Sequence, residues 1–277
     1  MNNNSNAMNH LRFLIVYLQR WQLTNVPYLL KNILSSAMVF ALTCYAVRSD
    51  AFDLMEPTKS CLFAALMCTI WSGLFNSIAM FYNEADYTMD DLSKVLPVGI
   101  YVFANVLIQA FLCLAEAVIS TAVFNLFFDY GSGGLVTPVL SLDYIITFFL
   151  VLFSSDMLGF AVGVLVNNIT TAMTLIPVVL IAQFLFSGCL FDLDGILKFV
   201  SRFTSARWGY SALGSLADLN NMTSRFADIL PGYTPEASNL FDVASGFVQN
   251  CWLQLGILSV ISIGAATLLL NWKMYKA

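Results

Sequence analysis

Ser60 to Asn83, between Lys59 and Glu84, and Val243 to Trp272 carry no charge at all. A helix needs about 20 mostly apolar residues to cross about 30 Å of hydrocarbon. It must also satisfy its own backbone N–H and C=O groups there, because no water is present to do so. Each stretch is long enough, so a membrane protein is predicted before any motif is read. Composition extends the argument to the whole chain. Of 277 residues, 59% are hydrophobic and 10% charged, with a mean hydropathy of +0.77. Ordinary soluble domains carry roughly 25% charged residues. Twelve Lys and Arg with seventeen Asp and Glu are too few to coat a globule of this size. A soluble enzyme and a disordered chain are excluded. The net charge of −5 and pI near 4.7 speak against a nucleic-acid partner, which requires a basic face.

The remaining apolar runs predict further spans. Tyr28 to Val47 has Lys31 near its start, where a long side chain snorkels to the headgroups. Val95 to Phe128 holds one charge, Glu116. Tyr144 to Phe191 is long enough for two spans, with Asn167-Asn168 as a tight turn between them. The expected fold is therefore all-α and polytopic. Six transmembrane helices fall at about 28–47, 60–83, 97–128, 144–166, 169–191 and 245–272, within one domain of residues 11–277. Residues 1–10 read as a disordered or tag-like terminus, with Ser5-Asn6-Ala7-Met8 a cloning scar or Met8 the native start. The run from Leu11 to Leu18 is too short for a signal peptide, contains Arg12 and lacks a small-residue cleavage site.

Two flanking segments complete the outline. Leu11, Leu14, Ile15 and Leu18 recur at helical spacing, with Arg12, Gln19 and Arg20 on another side. That pattern fits an N-terminal amphipathic helix in the interface, and equally a cytosolic extension of the first span. Asp192 to Asp242 is too polar to span and too apolar for a plain linker, so it predicts a long outer loop folded as a cap of short helices. Basic residues divide evenly between the two faces. Long loops weigh less in the positive-inside rule, and Lys273 with Lys276 favours both termini in the cytoplasm.

Few residues are equipped for chemistry. The single histidine is His10; zinc spacing and a Gly-rich phosphate loop are both missing from the sequence, so no ATP or metal site is expected in this chain. Six cysteines, at 44, 61, 68, 113, 189 and 251, read as small hydrophobes; Cys44 with Cys61, or Cys189 with Cys251, are the pairs that would meet near the outer face. Asn221-Met222-Thr223 fits a glycosylation acceptor only in a eukaryotic source. Glu116 and Asp156 are the acidic residues deep in spans. A charge there costs at least about 2.5 kcal/mol, so both should face the bundle interior or be protonated. They fit an intramembrane polar relay, and equally a structural pair of hydrogen-bonding carboxyls.

Three stretches resemble the membrane half of ABC-2 type exporters, especially the G subfamily of ABC transporters and its bacterial relatives. They are FNSIAMFYNEADYTMDDLSKVLPVGIYV, LFSSDMLGFAVG with Ser155, Asp156 and Gly159, and Phe184 to Asn220. The resemblance implies a half-transporter. Two such halves enclose a cavity, as a homodimer or heterodimer, and an ABC ATPase subunit carrying ATP and Mg drives it. No ATPase motif lies in this sequence, so that subunit is expected in trans. Glu84 and Asp91 fall where the family carries two acidic residues of a coupling segment. With Asp86 and Asp90 they face only Lys94, whereas the family interleaves basic residues there. A solvated helix-capping turn is the alternative. Cys189 and Leu190 take the place of a bulky outer gate. Trp71, Phe75 and Phe184 become cavity lining or helix packing, and Arg207-Trp208 a post-gate anchor at the membrane surface. The implied function is export of a hydrophobic or amphipathic cargo across a bacterial plasma membrane. A non-transporting immunity or sensor protein, or a proton-coupled secondary transporter, are the alternatives.

Overall fold

The computed structural model describes residues 30, 33–47, 51–92, 98–129, 133–166, 168–191, 193–222 and 240–276, excluding the side chains of 83–92, 274 and 276. The amphipathic segment at 11–22, Lys31, Lys94, Asn167, Thr223 and the side chains of Glu84, Asp86, Asp90 and Asp91 lie outside the described residues.

The described chain is helical: α1 (Ile33–Ala46), α2 (Met55–Leu92), α3 (Val98–Phe127), α4 (Leu140–Leu165), α5 (Ile169–Leu185), α6 (Gly195–Ser201), α7 (Ser205–Leu216) and α8 (Ser245–Lys276). Four of these are long and apolar enough to cross a membrane, at Met55–Tyr82, Val98–Phe127, Leu140–Leu165 and Ser245–Lys273. α1 and α5 are apolar but shorter, and α5 carries Pro177 in its interior, a residue that bends a helix. Asn168 stands at the head of α5, where its Oδ1 accepts from Thr171 N–H at 2.7 Å and caps the helix.

α4 is the hub, packing against α2, α3, α5, α7 and α8. Its contact with α2 is unusually close, and two glycines permit it. A Cβ on Gly73 would lie 2.7 Å from the Leu152 carbonyl oxygen, and one on Gly159 would lie 2.7 Å from that of Leu74. Small residues let two helix backbones meet where lipid offers no hydrophobic driving force.

Helix directions alternate. Residues 73, 77 and 81 of α2 follow residues 152–156, 159 and 163 of α4, so these two run parallel. α8 runs with them, since Trp252 donates to Thr147 Oγ1 (2.9 Å) and Lys273 to the Val166 carbonyl (2.8 Å). α1, α3 and α5 run the other way: Ser36 meets Ser72, Phe124 packs on Tyr144, and Phe184 on Phe63. One end of the bundle therefore collects the end of α2, the start of α3, the α4–α5 turn and the end of α8. The other collects α6, α7 and an aromatic cluster of Phe40, Phe52, Phe124, Phe128, Tyr144 and Phe148.

Two features differ from expectation. The acidic segment is not a turn: α2 continues through it as a 38-residue helix, about 57 Å long at 1.5 Å per residue. It therefore overshoots the hydrocarbon by several turns. The cap is also asymmetric. α7 is buried along most of its length against α2, α4 and α8, whereas α6 exposes Ile196, Leu197, Phe199 and Val200.

Candidate functional site

One group of buried polar side chains within the spans lies where α2, α3 and α4 face one another, with Ser36 of α1 beside it. On α3 the buried polar residues Asn105, Gln109, Glu116 and Ser120 recur at steps of four and seven, a single helical stripe. Phe103, Leu107, Phe111, Leu114 and Val118 form the exposed, lipid-compatible side of the same helix. Glu116 is 6% exposed and Asp156 3% exposed. Both face the bundle interior, which is where a costly group belongs.

Each carboxyl has its own donors. Ser72 Oγ donates to Glu116 Oε1, and Asn76 Nδ2 donates to Glu116 Oε2 (3.3 Å) and to Ser72 Oγ (3.2 Å). The single hydroxyl hydrogen of Ser72 is thereby committed, so Ser36 of α1 donates to Ser72 in turn. At Asp156 the Gln109 amide turns its nitrogen inward, the orientation that avoids setting oxygen against oxygen. It then donates to the carboxyl and to Ser77 Oγ (3.2 Å). Cys113 and Ser77 hydrogen-bond Asp156 as well. Among the described residues neither carboxyl has a Lys or Arg partner; the ion pair found there is Lys59–Glu56 at 3.0 Å, near the start of α2.

Beside this network lies an open-sided cavity of about 260 Å³, lined by Ser35, Ser36, Val39, Cys68, Trp71, Ser72, Phe75 and Asn76. Trp71 and Phe75 are half-exposed, at 46% and 45%. They share the cavity wall with the residues that bond Glu116. Phe184 does not line it. Its ring packs on Phe63 (5.2 Å between centroids), two turns of α2 before Trp71, and Phe63 packs in turn on Tyr210.

The expected gate and anchor sit at the α7 end. Leu190 is 46% exposed beyond α5, while Cys189 is half-buried and hydrogen-bonded to Tyr210. The start of α7 is pinned beneath them: Ala206 N–H donates to Gln183 Oε1 (3.0 Å), and Ser205 bonds Ser154 of α4 (2.7 Å). Arg207 and Trp208 are half-buried, with Trp208 Nε1 donating to the Arg202 carbonyl (2.8 Å). All six cysteines are free thiols.

Sequence reasoning set Trp71 and Phe75 together, with Phe184, as cavity lining and Glu116 apart from them, with Asp156. The fold places Trp71 and Phe75 on the same cavity wall as the residues that bond Glu116. Sequence reasoning missed Ser36, Ser72, Asn76, Ser77 and Gln109. The signal for some was present. Asn105, Gln109 and Glu116 repeat with helical period in an otherwise apolar span, and Ser72 and Asn76 stand four apart beside Trp71 and Phe75.

Helices of this length and apolarity, with polar groups sealed inside the bundle, define an integral membrane protein. The family profile described as ABC-2 type transporter matches residues 9–216, from before α1 to the end of α7. The match covers most of the chain, which belongs to the ABC-2 type transporter family and supplies its membrane-embedded permease subunit. Comparison with curated proteins gives no match.

Proposed function

We propose that this chain is one transmembrane half of an ATP-driven exporter for hydrophobic or amphipathic cargo, with six spans formed by α1–α5 and α8. The observation that carries the reading is the open-sided cavity of α1 and α2. A second copy, or a related half, would close it and turn a wall into an enclosed path. The alternating helix directions favour an arrangement in which the end of α8 and the acidic end of α2 share one face, assigned here to the cytoplasm of a bacterial cell. The α6–α7 cap would then cover the exit. There Cys189 and Leu190 form a small gate, and Arg207 with Trp208 anchors the helix behind it. The projecting end of α2, with Glu84, Asp86, Asp90 and Asp91, is the docking surface for a basic groove on an ABC ATPase that binds ATP and Mg. Complementary charge of this kind mainly selects the partner and speeds its encounter.

The test is co-purification with an ATPase subunit, wild type against Glu84→Lys/Asp91→Lys. Wild type should retain the ATPase and drive ATP-dependent transport in vesicles. The double variant should insert normally and lose both. Full transport by the charge-reversed protein would remove the docking assignment.

A second reading is favoured by one specific observation. Two buried carboxyls without a basic partner among the described residues also suit a proton-coupled transporter, in which Asp156 loads and releases a proton.

A further inference from the structure

The cavity has a chemical preference written into the direction of its hydrogen bonds. Ser36, Ser72 and Asn76 all line it, and the hydrogens they could offer a ligand are already spent. Ser36 donates to Ser72, Ser72 donates to Glu116, and Asn76 Nδ2 divides its two hydrogens between Ser72 and Glu116. What these groups have left is lone pairs, including Asn76 Oδ1, which accepts no bond among the described residues. Behind them stands the Glu116 carboxyl, one hydrogen bond from the cavity and with no Lys or Arg partner among the described residues. Lys59, the basic residue at the start of the same helix, is about 18 Å from Trp71 along the axis and already pairs with Glu56. The rest of the wall is Ser35, Val39, Cys68 and the half-exposed rings of Trp71 and Phe75. Aromatic faces attract cations through their quadrupole, with Trp the strongest. Acceptors, a carboxyl and two rings around one apolar space favour an ammonium over an anion.

We propose that this cavity is a subsite for an organic cation, an ammonium group on an apolar or aromatic body, seated against Trp71 and Phe75 and held by Glu116 through the Ser72–Asn76 layer. The inference rests on reading the cavity as the cargo space. It narrows the cargo from amphipathic molecules in general to cationic ones.

The experiment needs neither ATPase nor nucleotide. Purified full-length protein in nanodiscs is titrated calorimetrically with phenyltrimethylammonium, its uncharged isostere tert-butylbenzene, and the anion benzenesulfonate, with empty nanodiscs as the blank. Wild type should bind the cation about tenfold more tightly than the isostere, and the anion not measurably. Glu116→Gln should erase that preference while leaving tert-butylbenzene binding as it was, and Trp71→Leu should weaken the cation several-fold. Equal binding of cation and isostere by wild type overturns the proposal even if a variant misfolds, and so does a preference that survives in folded Glu116→Gln. Co-purification with an ATPase but no cation preference removes the subsite and leaves the export reading. A cation preference without an ATPase does the reverse.

Discussion

Asp143 is the acidic side chain whose purpose is plainest. It is fully buried at the start of α4, and its carboxyl accepts the backbone N–H groups of Leu135, Val136 and Thr137 at 2.8, 3.0 and 2.9 Å. One side chain thus satisfies three donors of the α3–α4 loop that no helix provides for. Asp143→Ala leaves those donors unpaired and is expected to cost about 3 kcal/mol or more, since bonds to a charged acceptor are the strong ones. Asp143→Asn keeps one acceptor oxygen and should cost less. Thermal melts of detergent-solubilised protein will order the three as wild type, Asn, Ala; equal melting of all three would show the loop to be held by other contacts. Asp143 also illustrates what single residues conceal. In the sequence it is one more acid at the head of an apolar run, and nothing local shows that it holds a loop. Asp143 differs from Asp156 in that its donors come from a neighbouring loop rather than from other helices.

Among helices, the α2–α4 contact is the most sensitive. Its two glycines face each other's backbone, and a methyl group at either would press on a carbonyl oxygen that cannot swing aside. Gly73→Ala and Gly159→Ala should each destabilise by about 1–3 kcal/mol, the usual cost of overpacking. Gly256 and Gly264 of α8 have open space where their Cβ would lie. Alanine there should be neutral or stabilising by up to about 1 kcal/mol, because it favours the helix. Melting temperatures across the four variants separate the cases; uniform behaviour would mean that the close approach does not control stability. The same contact positions the site, because it sets Asp156 against the α2–α3 pair. α7 depends on it too, wedged against both helices with its first turn tied to Gln183 and Ser154.

For the molecule as a whole, the question is what supplies the energy. A carboxyl that only accepts and donates fixed hydrogen bonds can be replaced by its amide, whereas one that cycles a proton cannot. Asp156→Asn should therefore keep substantial ATP-dependent transport in vesicles, with the proton gradient collapsed by an uncoupler. Asp156→Ala should be worse than the amide, since Gln109 and Ser77 lose their partner in a dry site. Transport that survives ATP depletion, stops with the uncoupler and vanishes in Asp156→Asn would establish the proton-coupled reading instead.

Composition and long apolar runs were enough to establish a helical membrane protein, because the cost of exposing backbone polar groups to lipid leaves few alternatives. Family membership was legible in the order and spacing of three short motifs. The tertiary structure alone decided which polar residues share a site. Ser36, Ser72 and Glu116 are separated by 36 and 44 positions, and their meeting depends on α1, α2 and α3 packing in one register. It also decided that Phe184 packs on Phe63 rather than beside Trp71, and that the acidic stretch after Asn83 continues a helix. Periodicity states which face of a helix is polar. Only the packing of neighbouring backbones, set here by Gly73 and Gly159, determines what that face meets.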